Sequence, residues 1–205
     1  MSLPLVVGIS GASGVIYGVE LLKVLHRLKQ TTHLIISESG ARNLAIETQY
    51  SLEDVCSLAD VVHDVGDVGA SVASGSFLTR GMIVAPCTIK TLSAIANSFN
   101  YNLLIRAADV HLKEKRPLVL MVRETPLHKG HLGLMAKAAD LGAVIQPPIP
   151  AFYHRPRTIM DLIHQSIGKT LDQLGIEHDL FQRWEGVGEE KEEELLRPLA
   201  GSGGE

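Results

Sequence analysis

Five stretches of the chain are almost wholly apolar: LPLVVGI (3–9), THLIIS (32–37), GMIVAP (81–86), PLVLMV (117–122) and GAVIQP (142–147). They are continuous rather than alternating, the pattern of strands covered on both faces. Between them apolar residues recur at helical spacing. GVELLKVLHRLK (18–29) sets Leu21, Leu22, Leu25 and Leu28 on one face, and NLLIRAADVHLKEK (102–115) reads as another helix. TIMDLIHQSIGKTLDQLG (158–175) closes the series, with Thr158 as N-cap, Asp161 in the first turn and Gly175 at the end. Strand alternating with helix predicts a parallel sheet with helices on both sides, a three-layer doubly wound α/β domain. Such sheets bind ligands beyond the carboxyl ends of their strands. The loops SGASG, SES, PCTIKT, RETP and PPIPAFYHRP, one after each strand, are therefore expected to converge on one crevice.

At 205 residues the chain supports one sizeable core. We expect a domain over residues 1–186 and an acidic, disordered tail over 187–205. The net charge of −4 is concentrated near the end: residues 185–205 hold seven Glu against Lys191 and Arg197, so the remainder is close to neutral. With 4% aromatics and no Lys/Arg run, the chain lacks the footprint of a nucleic-acid binder. No apolar run approaches the roughly 18 residues of a membrane span, and MSLPLVV lacks a basic region before a cleavable apolar segment. A cytoplasmic protein is expected. Cys56 and Cys87 make no disulfide framework and read as free thiols.

The GISGASG turn (8–14) has Ile9 where a dinucleotide fingerprint needs glycine, and Val15 and Ile16 where a P-loop needs Lys and Ser/Thr. What remains can offer backbone N–H groups and the Ser13 hydroxyl to an anion, and a plain tight turn accounts for its glycines equally well. Glu38 stands where a dinucleotide enzyme puts its ribose-binding carboxylate, but the broken fingerprint favours a mononucleotide. PCTIKTLSAIANS (86–98) places Thr88, Lys90, Thr91 and Ser93 at a helix start, suited to an oxyanion and equally to capping by Thr88. Cys87 lacks a His/Asn partner pattern and reads as a buried thiol. Arg106, Asp109 and Lys113 share a helical face and are expected to pair. Arg123 and Glu124 follow directly on an apolar strand. With Tyr153, His154 and Arg155, held between prolines, and with Lys169, they form a patch able to take a second phosphate. His128 and His131 lack further metal ligands, so no metal site is expected.

GISGASGVIYGVELL, ASGSF (73–77), PCTIKTLSAIA, RAADVHLKEKRPLVLMVRETPLH, PPIPAFYHRP and LFQRW, in this order, closely resemble the flavin prenyltransferases, the UbiX family that supplies UbiD-type decarboxylases. The resemblance spans residues 3 to about 186. It implies a flavodoxin-like (Rossmann-like) fold and a metal-independent transfer of a dimethylallyl group from dimethylallyl phosphate to N5 and C6 of reduced FMN. It assigns FMN contacts to Gly11, Ala12, Ser13, Ser37, Thr88, Ile89, Lys90, Thr91 and Arg123. Tyr153 and Lys169 fall at substrate-phosphate positions, and Arg106, Lys113 and Glu124 line that site. Thr88 replaces a serine common in the family and keeps the hydroxyl.

For that chemistry the cations stabilise charge developing on the leaving phosphate, while Glu124 and Ser13 serve as catalytic proton carriers. Trp184 is a candidate wall for the allylic group. The resemblance also implies a homo-oligomer, typically a dodecamer, with sites between subunits. The rivals are an FMN-dependent oxidative decarboxylase of cysteinyl compounds, whose Asn-containing motif PCTIKT does not match, and a non-enzymatic flavin carrier, which has no need of the cationic cluster.

Overall fold

A computed structural model describes residues 3–186. The apolar runs become β1 (Leu5–Ile9), β2 (Thr32–Ile36), β4 (Gly81–Cys87), β5 (Leu118–Val122) and β6 (Val144–Ile145), joined by a short β3 (Val61–His63). All pair in parallel, in the order β3-β2-β1-β4-β5-β6. Without the short edge strand β3 this is the flavodoxin order, in which the chain reverses direction of travel between β1 and β4.

The helices are α1 (Ile16–Arg27), α2 (Glu38–Glu47), α3 (Leu52–Cys56), α4 (Ile89–Ala96), α5 (Leu103–Lys113), α6 (Lys129–Asp140) and α7 (Ile159–Asp172). Successive strand residues feed opposite layers. Leu5, Val7 and Ile9 pack with Val19, Leu22 and Leu25 of α1 and Ile167 and Leu171 of α7. Val6, Met82 and Val84 pack with Leu92 and Ile95 of α4 and Leu104 and Ala108 of α5. Each buried Val, Leu, Ile or Met side chain among these contributes about 1.5–3 kcal/mol, which fixes the three-layer arrangement.

The sequence reading is corrected in several places. β4 runs one residue beyond the apolar stretch 81–86, to Cys87, and its register with β5 shifts between Val84 and Cys87, around a proline that has no N–H to donate. The expected helix 158–175 ends at Asp172. Thr158 does cap it, in a reciprocal capping box with Asp161, and Gly175 follows at φ +60°. β3, α2, α3 and α6 were not anticipated. The acidic segment 187–205 lies outside the described residues. Among those described, no helix is long and apolar enough to cross a membrane.

Candidate functional site

At the switch point between β1 and β4 a cavity of about 610 Å³ opens, within the usual range for small-ligand sites. Gly11 comes from the turn after β1, Ser37, Glu38 and Ser39 from the loop after β2, and Thr88, Lys90 and Thr91 from the loop after β4. Val65 and Gly66 after β3 and Tyr101, Asn102 and Leu104 at the start of α5 complete it. The loops after β5 and β6 are not among its lining residues. Those strands lie outward of β4 in the sheet, at roughly 4.8 Å per strand, so the expected convergence of five loops is realised for three.

Three helix N-termini meet at this cavity. Ser37 caps α2 by accepting from Gly40 N (3.0 Å), Thr88 caps α4 by accepting from Thr91 N (2.9 Å), and Asn102 caps α5 by accepting from Ile105 N (3.0 Å). Each cap satisfies one of the first N–H groups and leaves others of that turn without helical partners. A helix N-terminus favours an anion by about 0.3–1 kcal/mol at an exposed site, and three converge here beside the Lys90 ammonium. The Thr88 hydroxyl also donates to Thr91 Oγ1 (2.9 Å). Across the crevice, the Ser10 hydroxyl donates to Pro86 O (2.9 Å) and accepts from Thr88 N (2.9 Å).

The glycine turn is packed from the α2 side. A Cβ on Gly11 would lie 2.4 Å from Ser39 Cβ, and Gly14 sits at φ +92°, so close approach and backbone angle both require glycine. Asn43 Nδ2 donates to Gly11 O (2.9 Å), and one Glu47 carboxylate oxygen accepts from Gly14 N (2.7 Å) and Val15 N (3.3 Å). Two N–H groups at the end of the turn expected to offer its N–H groups to an anion, those of Gly14 and Val15, are thus held by a carboxylate of the chain itself. Glu47 was missed, since nothing in its spacing links it to a turn 33 residues away; its i, i+4 relation to Asn43 is the one local signal. Ala12 is buried, Ser13 exposed and Ile89 half-buried beside these groups. Cys87 is fully buried and its thiol is pushed far above the ordinary range by desolvation, which removes it as a nucleophile.

The residues assigned to a second phosphate divide into groups. Lys169 lines a separate cavity of about 310 Å³ with Gln146, Gln165 and Ser166, and its ammonium stands 3.5 Å from Asp172. Gln165 Nε2 lies 3.5 Å from the Tyr153 hydroxyl, so Tyr153 adjoins this cavity. Trp184 meets the Tyr153 ring edge-on at 6.2 Å and is 61% exposed. Arg106 pairs with Asp109 (3.2 Å) and donates to Ala73 O, on the ASGSF segment. Lys113 does not join that pair as expected: it bonds Glu114, its neighbour. Arg123 is exposed, with its N–H on Cys87 O (3.0 Å) at the foot of the Thr88 loop, and Glu124 accepts from Thr125 N (3.1 Å). His128 caps α6 and stacks on His131. Among the described residues no group of three or more His, Cys, Asp or Glu is placed to hold a metal ion.

A family model described as Flavoprotein matches residues 2–167. A protein named flavin prenyltransferase UbiX, from Thauera aromatica, is 62% identical over 188 residues, covering 92% of this chain and 96% of that one. A crystal structure of AnUbiX (PadA1) in complex with FMN and dimethylallyl pyrophosphate superposes with a TM-score of 0.90 at 45% identity, covering 92% of this chain and all of the other. A dodecameric FMN-dependent UbiX-like decarboxylase from Escherichia coli O157:H7 superposes at 0.87 and 44% identity, over 90% and 100% of the two chains.

Proposed function

Because the chain belongs to the flavin prenyltransferases of the Flavoprotein family, we propose that its larger cavity holds FMN and that the groove beside Lys169 and Tyr153 receives the phosphate of dimethylallyl phosphate. The enzyme is a prenyltransferase that joins a dimethylallyl group to N5 and C6 of reduced FMN. The observation that carries the placement of FMN is the meeting of the α2, α4 and α5 N-termini with Lys90 at one end of a cavity sized for a mononucleotide.

In this reading Ser37, Thr88 and Thr91 hydroxyls, Lys90 and the nearby N–H groups hold the flavin's phosphate end, with Ile89 packing beneath them. Gly11, Ala12 and Ser13 lie along the rest of the flavin, and Arg123 closes the loop after β5 over it. Reduced FMN supplies the nucleophilic nitrogen. Lys169 and Tyr153 orient the allylic phosphate, and Arg106 and Lys113 add positive charge where negative charge builds on the departing group. Both must exchange Asp109 and Glu114 for that phosphate. Glu124 and Ser13 carry protons to the phosphate and from the ring carbon. Glu47, on the N–H groups next to Ser13, fixes the turn from which that hydroxyl projects.

The exposed Ile149, Phe152, Ile159 and Trp184, grouped along the chain around Tyr153 and Lys169, suit burial against further copies in a dodecamer. We assign the enzyme to the cytoplasm and its prenylated FMN to a UbiD-type decarboxylase. The test is anaerobic incubation with reduced FMN and dimethylallyl phosphate, followed by mass spectrometry of the released flavin. A flavin heavier by a five-carbon group is expected; unmodified flavin overturns the reading.

A further inference from the structure

Among the described residues Lys90 is the one cation lining the larger cavity, and a residue from the next helix connection lies against it. Its ammonium lies over the Tyr101 ring, 5.1 Å from the centroid. Tyr101 itself lines the cavity and packs against Phe99, centroids 5.7 Å apart. The connection that presents the ring is tightly held. Ser98 takes φ +49°, and Phe99 N reaches back to Ala94 O (2.9 Å), closing the end of α4. Lys137 Nζ bonds Asn97 Oδ1 (2.7 Å) at one end of the segment, and Asn100 Nδ2 bonds Asp109 Oδ2 (2.9 Å) at the other. An aromatic face fixed from both sides therefore lies beneath a flexible ammonium that forms none of the ion pairs found among the described residues.

We propose that Tyr101 is a positioning residue for the flavin phosphate: its ring restrains the Lys90 ammonium at the mouth of the cavity, where that charge meets the phosphate. A free lysine loses the freedom of several rotatable bonds when it binds an anion. A cation–π contact takes up part of that loss before the ligand arrives and leaves the ammonium's N–H donors available to oxygen. Tyr101 acts through Lys90, so its effect is confined to ligands that carry the phosphate.

The inference rests on the larger cavity taking FMN by its phosphate end, and the test separates the two. Oxidised FMN and riboflavin are titrated into the purified protein, with binding read from flavin fluorescence. The unsubstituted protein is expected to prefer FMN; no preference overturns the placement of the phosphate and this inference with it. Tyr101→Leu is expected to weaken FMN about threefold and to leave riboflavin unchanged, a change within the reach of an exposed cation–π contact. Tyr101→Phe, which keeps the ring, is expected to retain the parental affinity for FMN. In a Lys90→Met background, Tyr101→Leu is expected to change FMN binding by less than about 1.5-fold, because the ammonium it acts through is gone. Equal weakening of FMN and riboflavin, an undiminished effect of Tyr101→Leu without Lys90, or unchanged FMN affinity in Tyr101→Leu would each overturn the role of Tyr101.

Discussion

The two cavities are built from different materials. The larger one, at the β1/β4 switch point, gathers four hydroxyl-bearing Ser and Thr residues and the capped starts of three helices, and its shape is set by packed elements. The smaller one, between β6 and α7, is lined by side chains, and its cation already faces Asp172. Asp172 also binds Arg183 (2.7 Å) and His178 (3.3 Å). A site built on capped helix starts keeps its geometry with or without ligand; a site of paired side chains must give up one partner for another. The first suits a tightly held flavin and the second a substrate that comes and goes.

The most severe way to break this contrast is Gly11→Ala. The added Cβ would press on Ser39 at 2.4 Å and displace α2 from the turn. Where FMN requires the undistorted turn, an overpacking cost of about 2 kcal/mol falls on the bound state and weakens FMN binding up to roughly thirtyfold, measurable by flavin fluorescence. An unchanged affinity would show that the turn yields and that the larger cavity is not rigid. Lys169→Met acts on the other cavity: KM for dimethylallyl phosphate is expected to rise about tenfold, as for loss of one charged contact of about 1.4 kcal/mol, with FMN affinity preserved. Loss of FMN binding in that variant would merge the two sites into one.

Acid sharpens the contrast with a smaller effect. Hydrogen bonding from Arg183, against the opposing cost of burial, holds the Asp172 carboxyl below its ordinary value. Its pairs therefore contribute fully above the unfolded value of about 4, and that contribution disappears as pH falls through the depressed folded value. Trp184, the single tryptophan and the neighbour of Arg183, should change its emission below about pH 4. Far-UV circular dichroism is expected to hold at the start of that change. Simultaneous loss of both signals would mean that the edge near α7 has no separate response.

Much of the larger site was legible because its chemistry is local. Thr88 follows an apolar strand and opens a helix, and a cap is a short-range signal; Ser37 was legible only as a residue just beyond a strand and through the resemblance, because the helix it caps was not. The strands of the sheet centre were legible for the same reason: β1, β4 and β5 are buried throughout, so their sequences are uninterrupted apolar runs. β3 escaped because it is three residues long, with Val61 and Val62 substantially exposed. α2 and α6 escaped because they bury so little, Gly40 and Leu44 in one and Ala138 in the other, which leaves a faint helical period. Glu47 and the division of the cationic residues depend on contacts between distant segments. Lys113 shows the limit: its spacing pointed to Asp109, and the partner it takes is adjacent in the chain.

One hydroxyl has a wider consequence. Ser10 joins the end of β1 to Pro86 O and Thr88 N at the end of β4, so the glycine turn and the Thr88 loop are tied to each other independently of any flavin. The two halves of the proposed flavin site need not search for one another when the ligand enters, and little disorder is left for binding to remove. Ser10 is a fixed spacer: it sets how far apart the jaws of the crevice stand, and so the size of guest they fit.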